Sequence, residues 1–272
     1  MFLPIQIKME RVKKIDCIAN QSFFETKKMA KIYQHERQLE KEIKKLTKRR
    51  FLHRFVSVIG VLLVVLVQWH WDKVIWTIIT AALVALYMCR QSTLKNQLGK
   101  VTAGLAGEDK VLRILAKLPN TYSVFPDVRV VMGRKESQLD MIVVGPSGVY
   151  VVEVKNYAGV IEGDAANQQL RQIKHRTGEI TFYNPVKQVT THAYRLHDFL
   201  RYHQMDIWVQ GAVYFANESG KVNVANSTNT PIFSAYTNES KHLISYIEER
   251  QGQELSKRKQ KAIEKLLQSI LR

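Results

Sequence analysis

The sequence predicts an α/β domain that is preceded by a membrane helical hairpin. Three observations predict this fold: an apolar stretch at residues 55–89, mixed helical and alternating periodicity after residue 100, and two β-branched runs that flank a Gly-Pro-Ser-Gly turn. The expected order in the domain is helix, three-strand meander, helix and strand. A chain of 272 residues is long enough for one sizeable globular domain with additional segments.

The chain is strongly basic, with a net charge of +17 and a pI near 9.8. Residues 1–54 carry 15 Lys and Arg against 6 Asp and Glu. We expect them to form a basic cytoplasmic segment. Membrane topology and attraction to anionic lipid explain this local excess. The remaining charge suits a polyanion such as nucleic acid. The two cysteines, Cys17 and Cys89, are too few for a disulfide framework or a Cys-based zinc site.

Residues 22–50 predict an amphipathic or weakly coiled-coil helix. Apolar residues recur in it at spacings of three, four and seven: Met29, Ile32, Leu39, Ile43 and Leu46. The simplest role of this helix is a charged spacer that leads to the membrane. Dimerisation is the alternative, although Glu36 and Arg50 interrupt the apolar seam.

The apolar stretch predicts two membrane spans, near residues 55–71 and 74–89. One continuous helix of 35 residues would be about 52 Å long, well over the ~30 Å hydrocarbon core. Both outer flanks are basic and the loop contains only Asp72 and Lys73 as charged residues, so both termini are expected in the cytoplasm. Three tryptophans are expected at the far interface: Trp69, Trp71 and Trp76. One tilted span with an interfacial segment is the alternative.

After residue 100 the composition becomes that of a soluble domain. Apolar periodicity predicts a helix over residues 104–118, stopped by Pro119, and then a strand around 122–130. Residues 162–181 are polar and predict irregular structure. Asn184 and Pro185 are typical of a helix N-cap and first helical position, and they predict a helix that runs to about Tyr202. The remaining expected elements are strands at 209–215 and 232–235 and helices near 239–250 and 256–271.

The hairpin around Gly145-Pro146-Ser147-Gly148 carries the most informative residues of the chain. A turn that is symmetric about Pro146 and Ser147 places Asp140 opposite Glu153, and Gln138 opposite Lys155. Because side chains alternate between faces, all four then share one face. Carboxylates directly opposed on paired strands, with Cβ atoms roughly 4.5–5.5 Å apart, repel each other. The pattern therefore predicts a metal ion between Asp140 and Glu153, with Lys155 one pleat away.

These motifs, taken in order, resemble the NERD (nuclease-related) domain family and, more broadly, the PD-(D/E)xK restriction-endonuclease-like superfamily. The matching segments are Gly104-Leu105-Ala106-Gly107-Glu108, Gln138-Leu139-Asp140, Gly145-Pro146-Ser147-Gly148-Val149, Val152-Glu153-Val154-Lys155-Asn156-Tyr157 with Gly159, and Asn184-Pro185-Val186-Lys187-Gln188. The resemblance covers roughly residues 100–220. It implies a nuclease-like domain at 100–235, followed by C-terminal helices at 236–272. Two departures are Leu139, at the position of the proline in the motif's name, and Gln168-Gln169-Leu170, where a tryptophan is expected.

The resemblance implies a metal-dependent phosphodiesterase with named roles for five residues. Asp140 and Glu153 would supply oxygen ligands to Mg²⁺ or Mn²⁺. Lys155 would contact the attacking water or the charge that develops at phosphorus. Glu108 would complete the metal shell or bind a second ion, and Gln188 would orient water or substrate. The alternatives are a surface ion pair for Glu153 and Lys155, a solvated helix position for Glu108 and a structural hydrogen bond for Gln188.

Five basic residues are expected to bind nucleic-acid phosphates, or alternatively to form a solvated face: Arg171, Lys174, Arg176, Lys187 and Arg195. His192 and His197 are five residues apart, which does not align them on one helical face, so both are interpreted as surface histidines. The sequence contains no P-loop, Rossmann fingerprint or serine nucleophile elbow.

The predicted protein is a multi-pass protein of the cell membrane whose cytoplasmic domain hydrolyses DNA, or alternatively RNA. Two other classes of function remain open at this point. One is a catalytically inactive nucleic-acid-binding membrane tether, and the other is a structural membrane or assembly protein. Metal-dependent cleavage that is lost in Lys155→Ala indicates the enzyme. Salt-sensitive binding without cleavage indicates the tether. The absence of both cleavage and binding indicates the structural protein.

Overall fold

The computed structural model describes residues 29–68, 73–174, 178–249 and 254–271. The helices are α1 (Gln38–Gln68), α2 (Lys73–Leu115), α3 (Pro185–Tyr202), α4 (Ser240–Glu249) and α5 (Lys257–Ile270). The strands are β1 (Lys31–Ile32), β2 (Ser123–Met132), β3 (Lys135–Gly145), β4 (Gly148–Lys155), β5 (Gly159–Asp164), β6 (Gln169–Lys174), β7 (Gly178–Tyr183), β8 (Val209–Phe215), β9 (Gly220–Ala225) and β10 (Ile232–Ser234). The predicted mixed α/β class is confirmed.

The larger sheet has the strand order β1-β2-β3-β4-β8-β10. Strands β2, β3 and β4 form the antiparallel meander, and β8 joins β4 in parallel after the chain has passed through α3. Val144 faces Val149 and Ile142 faces Val151, as the symmetric turn predicts. Gly145 tolerates no side chain, because a Cβ atom there would lie 2.1 Å from the Tyr122 ring.

Apolar side chains on both faces of the larger sheet form the core. One cluster joins Ile142 and Val151 to residues of α3 and α5, including Leu196 and Ile263. The other cluster joins strand residues such as Tyr150 to α2 and α4. Because both faces are covered, β4 is buried along its whole length apart from Lys155 at its end.

A second sheet occupies the region that was expected to be irregular. Residues 162–181 contribute to β5, β6 and β7, which pair with β9 in the order β7-β6-β5-β9. The prediction for this stretch was wrong because its strands are polar and short. The edge-to-face contact of Tyr157 with Phe182, with ring centroids 4.8 Å apart, packs the second sheet beside the end of β4.

The segment before α1 is docked on the larger sheet. Residues 1–28 lie outside the described residues, but the predicted helix over 22–50 is wrong for the part that the structure describes before Gln38. Lys31 and Ile32 instead pair in parallel with Ser123 and Val124 of β2. Tyr33 then stacks on Phe125, with ring centroids 4.5 Å apart and planes 6° apart.

Helix α2 runs without interruption from Lys73 to Leu115, so the helix expected at 104–118 is the last part of a 43-residue helix. Within the described residues, the segment Thr77–Leu115 is long and apolar enough to cross a membrane. Large apolar side chains are exposed along both long helices, among them Phe55 and Leu62 on α1 and Ile78 and Leu86 on α2. Trp69 and Trp71 lie outside the described residues, and the Trp76 side chain is likewise not described.

Candidate functional site

The candidate site lies where β3 and β4 stop pairing. The last pair of the ladder on this side is Met141 with Val152, and beyond it the carboxylate of Asp140 turns toward β4. Asp140 Oδ2 accepts a hydrogen bond from the Val154 backbone N–H at 2.8 Å. The expected pairs Asp140 with Glu153 and Gln138 with Lys155 therefore lie beyond the ladder, and the Gln138 side chain donates to the carboxylate of Asp127.

Glu153 is the most enclosed charged side chain of the site, with 1% of its side-chain surface exposed. Its Oε1 accepts a hydrogen bond from Lys155 Nζ at 2.6 Å. The same Nζ donates to Gln188 Oε1 at 3.0 Å, which links β4 to the first turns of α3. The structure therefore brings Asp140, Glu153, Lys155 and Gln188 together at the half-buried end of β4.

Burial and mutual repulsion give the two carboxylates different pKa values. Burial raises the pKa of Asp140 well above its usual range, and the charge of Glu153 raises it further. Burial acts in the same direction on Glu153, but His192, 3.2 Å from one of its oxygens, and Lys155, which donates a hydrogen bond to the other, outweigh it and lower its pKa. Burial alone would lower the pKa of Lys155, yet Glu153 and Asp140 hold it above its ordinary value. Without a metal ion, Asp140 thus keeps its proton longer than Glu153 does.

The donor set fits a hard divalent cation. Glu153 Oε2 is buried and forms no hydrogen bond among the described residues, although His192 Nδ1 lies 3.2 Å away. Within the same residues, no three His, Cys, Asp or Glu side chains surround a common point. A closed zinc site needs about four such ligands. Mg²⁺ commonly takes one or two carboxylates and keeps several waters, which matches two carboxylates at the end of a strand.

Glu108 lies on α2 and is buried beside an arginine from the segment before α1. Arg37 places one guanidinium nitrogen 3.7 Å from Glu108 Oε2 and donates from another nitrogen to Asp109 at 2.6 Å. Glu108 Oε2 and the nearer Arg37 nitrogen both lack a hydrogen-bond partner within the described part of the chain. Burial raises the pKa of Glu108 to about 7, against the opposing charge of Arg37. The negative charge of Glu108 also raises the pKa of Asp140.

Residues 103–216 match the model of the family described as nuclease-related domain, NERD. The chain contains a NERD domain. The match begins on α2 shortly before Glu108 and ends one residue after β8, so it includes Asp140, Glu153, Lys155 and Gln188. The predicted family is therefore confirmed.

One relative of known sequence is an uncharacterized protein of Bacillus anthracis, which is 37% identical to the chain over 112 residues. The alignment covers 40% of this chain and 52% of the relative, so the chain spans about half the length of that protein. No solved structure matches the chain significantly. The likeness to this relative accordingly concerns a part of the chain comparable in length to the NERD domain.

His192 is a residue of the NERD domain that sequence reasoning placed wrongly. It is buried rather than at the surface, and its Nδ1 lies 3.2 Å from Glu153 Oε2, although the two atoms lack hydrogen-bond geometry. The spacing of four from Gln188 to His192 puts both on one side of α3 and was the available signal. His197 is also largely buried, with its Nδ1 2.9 Å from the Ile207 carbonyl oxygen.

Arg37 could not be selected from the sequence, because it lies 71 positions before Glu108 and outside every motif. Its burial beside Glu108 follows from the docking of β1 on β2. Burial acts to lower its pKa, but hydrogen bonds and charges of Asp109 and Glu40 outweigh this and raise it. The segment before α1 therefore contributes a cation next to a candidate residue of the NERD domain.

The structure separates the basic residues that were expected to bind phosphates. Arg171 lies in the second sheet and is ion-paired with Glu162 and Glu179, at 3.7 and 3.5 Å. Lys174 ends the same strand, and Arg176 lies outside the described residues. Lys187 and Arg195 are both on α3 but line different grooves: Lys187 lies with Trp208 and Thr228, and Arg195 lies beside the β2–β3 hairpin.

Proposed function

We propose that this chain is a membrane-anchored, metal-dependent nuclease that hydrolyses phosphodiester bonds in DNA. One observation carries the proposal: the fully buried carboxylate of Glu153 has one oxygen on Lys155 and the other 3.2 Å from His192 Nδ1 without hydrogen-bond geometry, and its charge acts on the nearby carboxylate of Asp140. A structural ion pair would need only one carboxylate and one lysine. The second acid raises the electrostatic cost, which a bound cation would remove.

Asp140 and Glu153 would hold Mg²⁺ or Mn²⁺ through their carboxylate oxygens. When bound, such an ion polarises a phosphoryl oxygen and lowers the pKa of a coordinated water. Asp140 is then required as the carboxylate, so its proton must leave before the site is competent. The hydrogen bond from the Val154 N–H to Oδ2 orients this carboxylate and does not involve Oδ1.

Lys155 supplies the positive charge that complements the phosphate. Its pKa is raised, so the ammonium form persists at neutral pH. The charge lies 2.6 Å from Glu153 and 3.0 Å from Gln188, and these two contacts hold Nζ at the end of β4. We propose that Nζ stabilises the negative charge that develops on the phosphoryl oxygens. Gln188, by its contact with Nζ, positions this ammonium and offers its amide N–H to substrate or water.

We also propose that α1 and α2 form a membrane hairpin with the NERD domain and both termini in the cytoplasm. The long apolar segment of α2 and the exposed apolar side chains on both helices support it. Basic residues before and after the apolar part support this orientation, by the preference of Lys and Arg for the cytoplasmic side. Protease protection of tags at residue 72 and at the C terminus in sealed vesicles tests the topology. Exposure of both tags on the same side contradicts it.

The nuclease proposal is tested with the full chain in detergent micelles, incubated with supercoiled plasmid in Mg²⁺, Mn²⁺ or EDTA. We expect nicking that requires the metal and is lost in Lys155→Ala. The matched control is Lys221→Ala, an exposed lysine on β9, which should cleave like the unaltered protein. Salt-sensitive plasmid binding without cleavage under any metal would contradict the enzyme and favour the nucleic-acid-binding tether. A parallel assay with structured RNA decides between the two nucleic acids.

A further inference from the structure

A groove of about 800 Å³ lies between α3 and the turn that joins β2 to β3. Four basic residues line it: Arg134, Lys135, Arg195 and Arg201. One acidic residue, Asp198, also lies there and is paired with Arg201 at 3.0 Å. The groove therefore keeps a net positive charge, as a site for a polyanion requires.

Arg195 is held in the wall of this groove. Its guanidinium donates to the Glu136 carbonyl oxygen at 3.0 Å and to the Ser137 hydroxyl, which ties α3 to the start of β3. These two bonds use one terminal nitrogen, and an arginine has further N–H donors for a phosphate. A guanidinium that is already oriented loses less rotational freedom when it binds an anion.

Two tyrosines of α3 also line the groove and are largely exposed. Tyr202 has 73% of its surface exposed and Tyr194 has 58%. Exposed aromatic rings beside arginines are typical of proteins that bind single-stranded nucleic acid, because unpaired bases can stack on them. A duplex keeps its bases stacked inside and offers phosphates and groove edges instead. The rings thus distinguish single strands from duplexes in a way that the basic residues do not.

The groove is in line with the candidate catalytic site. Gln188, Arg195 and Tyr202 are spaced by seven residues, which is close to two helical turns, so they follow one stripe along α3. The stripe begins at the amide that contacts Lys155 and reaches Tyr202 about 21 Å further on. This length corresponds to about six nucleotides of a stacked strand at 3.4 Å each, and to fewer if the strand is extended.

We propose that this groove binds a single-stranded extension of the nucleic-acid substrate and leads it along α3 to Lys155. The substrate class is accordingly a strand with an unpaired tail, and the direction toward Lys155 rests on the proposed nuclease function. Arg195 and Arg134 contact the tail's phosphates, and Tyr202 and Tyr194 stack on its bases. Sequence preference is weak, since every base offers a face for stacking.

The experiment measures binding and cleavage separately with the full chain in detergent. Fluorescent duplexes with 3′ or 5′ tails of 0, 3, 6 and 12 nucleotides, made of DNA or RNA, are titrated in EDTA by anisotropy and then incubated with Mg²⁺. We expect affinity to rise with tail length up to about six nucleotides. Tyr202→Ala should lower the affinity for the 12-nucleotide tail by about 5- to 150-fold and leave blunt duplex binding unchanged. Tyr202→Phe should retain most of the affinity.

Tyr236→Ala is the matched control, since this tyrosine is 51% exposed but does not line the groove. Equal affinity for blunt and tailed duplexes, or tailed binding that is unaffected by Tyr202→Ala, overturns the proposal even if cleavage depends on Lys155. Tail-dependent binding that requires Tyr202, without cleavage of any substrate, supports the groove and refutes the nuclease. Loss of all binding in both Tyr202→Ala and Tyr202→Phe also overturns the stacking role, because the retained ring should suffice.

Discussion

Replacing Glu108 with glutamine is expected to stabilise the metal-free protein at alkaline pH and to leave its stability unchanged at pH 4. The Glu108 side chain is 9% exposed, and burial raises its pKa from 4.5 to about 7. Between these two values the folded protein binds a proton that the unfolded chain has released. Stability therefore falls as the pH rises across this interval and stays low above it. Glutamine has no proton to lose and removes this fall.

The size of the effect follows from the shift. A change in pKa from 4.5 to about 7, at about 1.4 kcal/mol for each unit, corresponds to about 3 kcal/mol. One kcal/mol moves the unfolding midpoint of a domain of this size by about 2–4 °C. Glu108→Gln should therefore unfold about 6–12 °C above the unaltered protein at pH 8.5. At pH 4, where glutamate is protonated in both states, the two midpoints should nearly coincide.

The assay is thermal unfolding of the full chain in detergent with EDTA, followed at pH 4, 5.5, 7 and 8.5. Glu218→Gln is the control, because this exposed carboxylate has its pKa lowered by the hydrogen bond and charge of Lys110. Its replacement should give no gain at high pH. A midpoint increase for Glu108→Gln that is the same at every pH refutes the reasoning. A lower midpoint at pH 8.5 would show that the charge of Glu108 stabilises Arg37 more than its burial costs.

Three further predictions concern the site and its support. Asp140→Asn should raise the unfolding midpoint of the metal-free protein at neutral pH but not at pH 4, because burial raises the pKa of this acid. The same substitution should weaken metal binding, measured by calorimetry, by more than about 100-fold. Arg195→Gln should reduce the slope of log affinity against log salt by about one, whereas Arg171→Gln, already ion-paired with two glutamates, should not. Asn184→Ala should cost about 2–4 kcal/mol in denaturant unfolding, because the buried amide caps α3 and donates to three carbonyl oxygens. Asn217→Ala, which removes only the hydrogen bond that this side chain accepts from the Ser219 N–H in a turn, should cost about 1 kcal/mol or less.

The parts of the fold that were predictable from sequence are those governed by local rules. The short turn between Gly145 and Gly148 specifies the register of the two β-branched runs, with Val144 facing Val149. Asn184 and Pro185 begin α3 as predicted, with the Asn184 side chain accepting from the Val186 N–H. The register also brings Asp140 close to β4. Its carboxylate reaches β4 because the side chain turns toward the Val154 N–H, and not through the simple alternation of side chains.

The parts that were not predictable depend on contacts between distant segments. The second sheet consists of short strands in which polar residues alternate with single buried ones such as Leu170, a pattern that a polar loop shares. The burial of His192 depends on Glu153, which lies on a different strand. The position of Arg37 depends on the pairing of β1 with β2, across about 90 residues of intervening chain. No local pattern reports such pairings.

The docking of the segment before α1 changes what counts as the nuclease-like domain. Arg37 immediately precedes α1 and Glu108 lies near the end of α2, so their 3.7 Å approach closes the base of the proposed membrane hairpin. The Leu39 side chain also lies against Gly104, where a Cβ atom would come within 3.3 Å of it. Helix α2 is about 64 Å long and continues without a break from the proposed hairpin into the NERD domain. A fragment cut at residue 100 would lose β1, the Tyr33 stack and Arg37 together, and would deprive Glu108 of its ion-pair partner. The site and the proposed membrane attachment therefore have to be tested in the same chain.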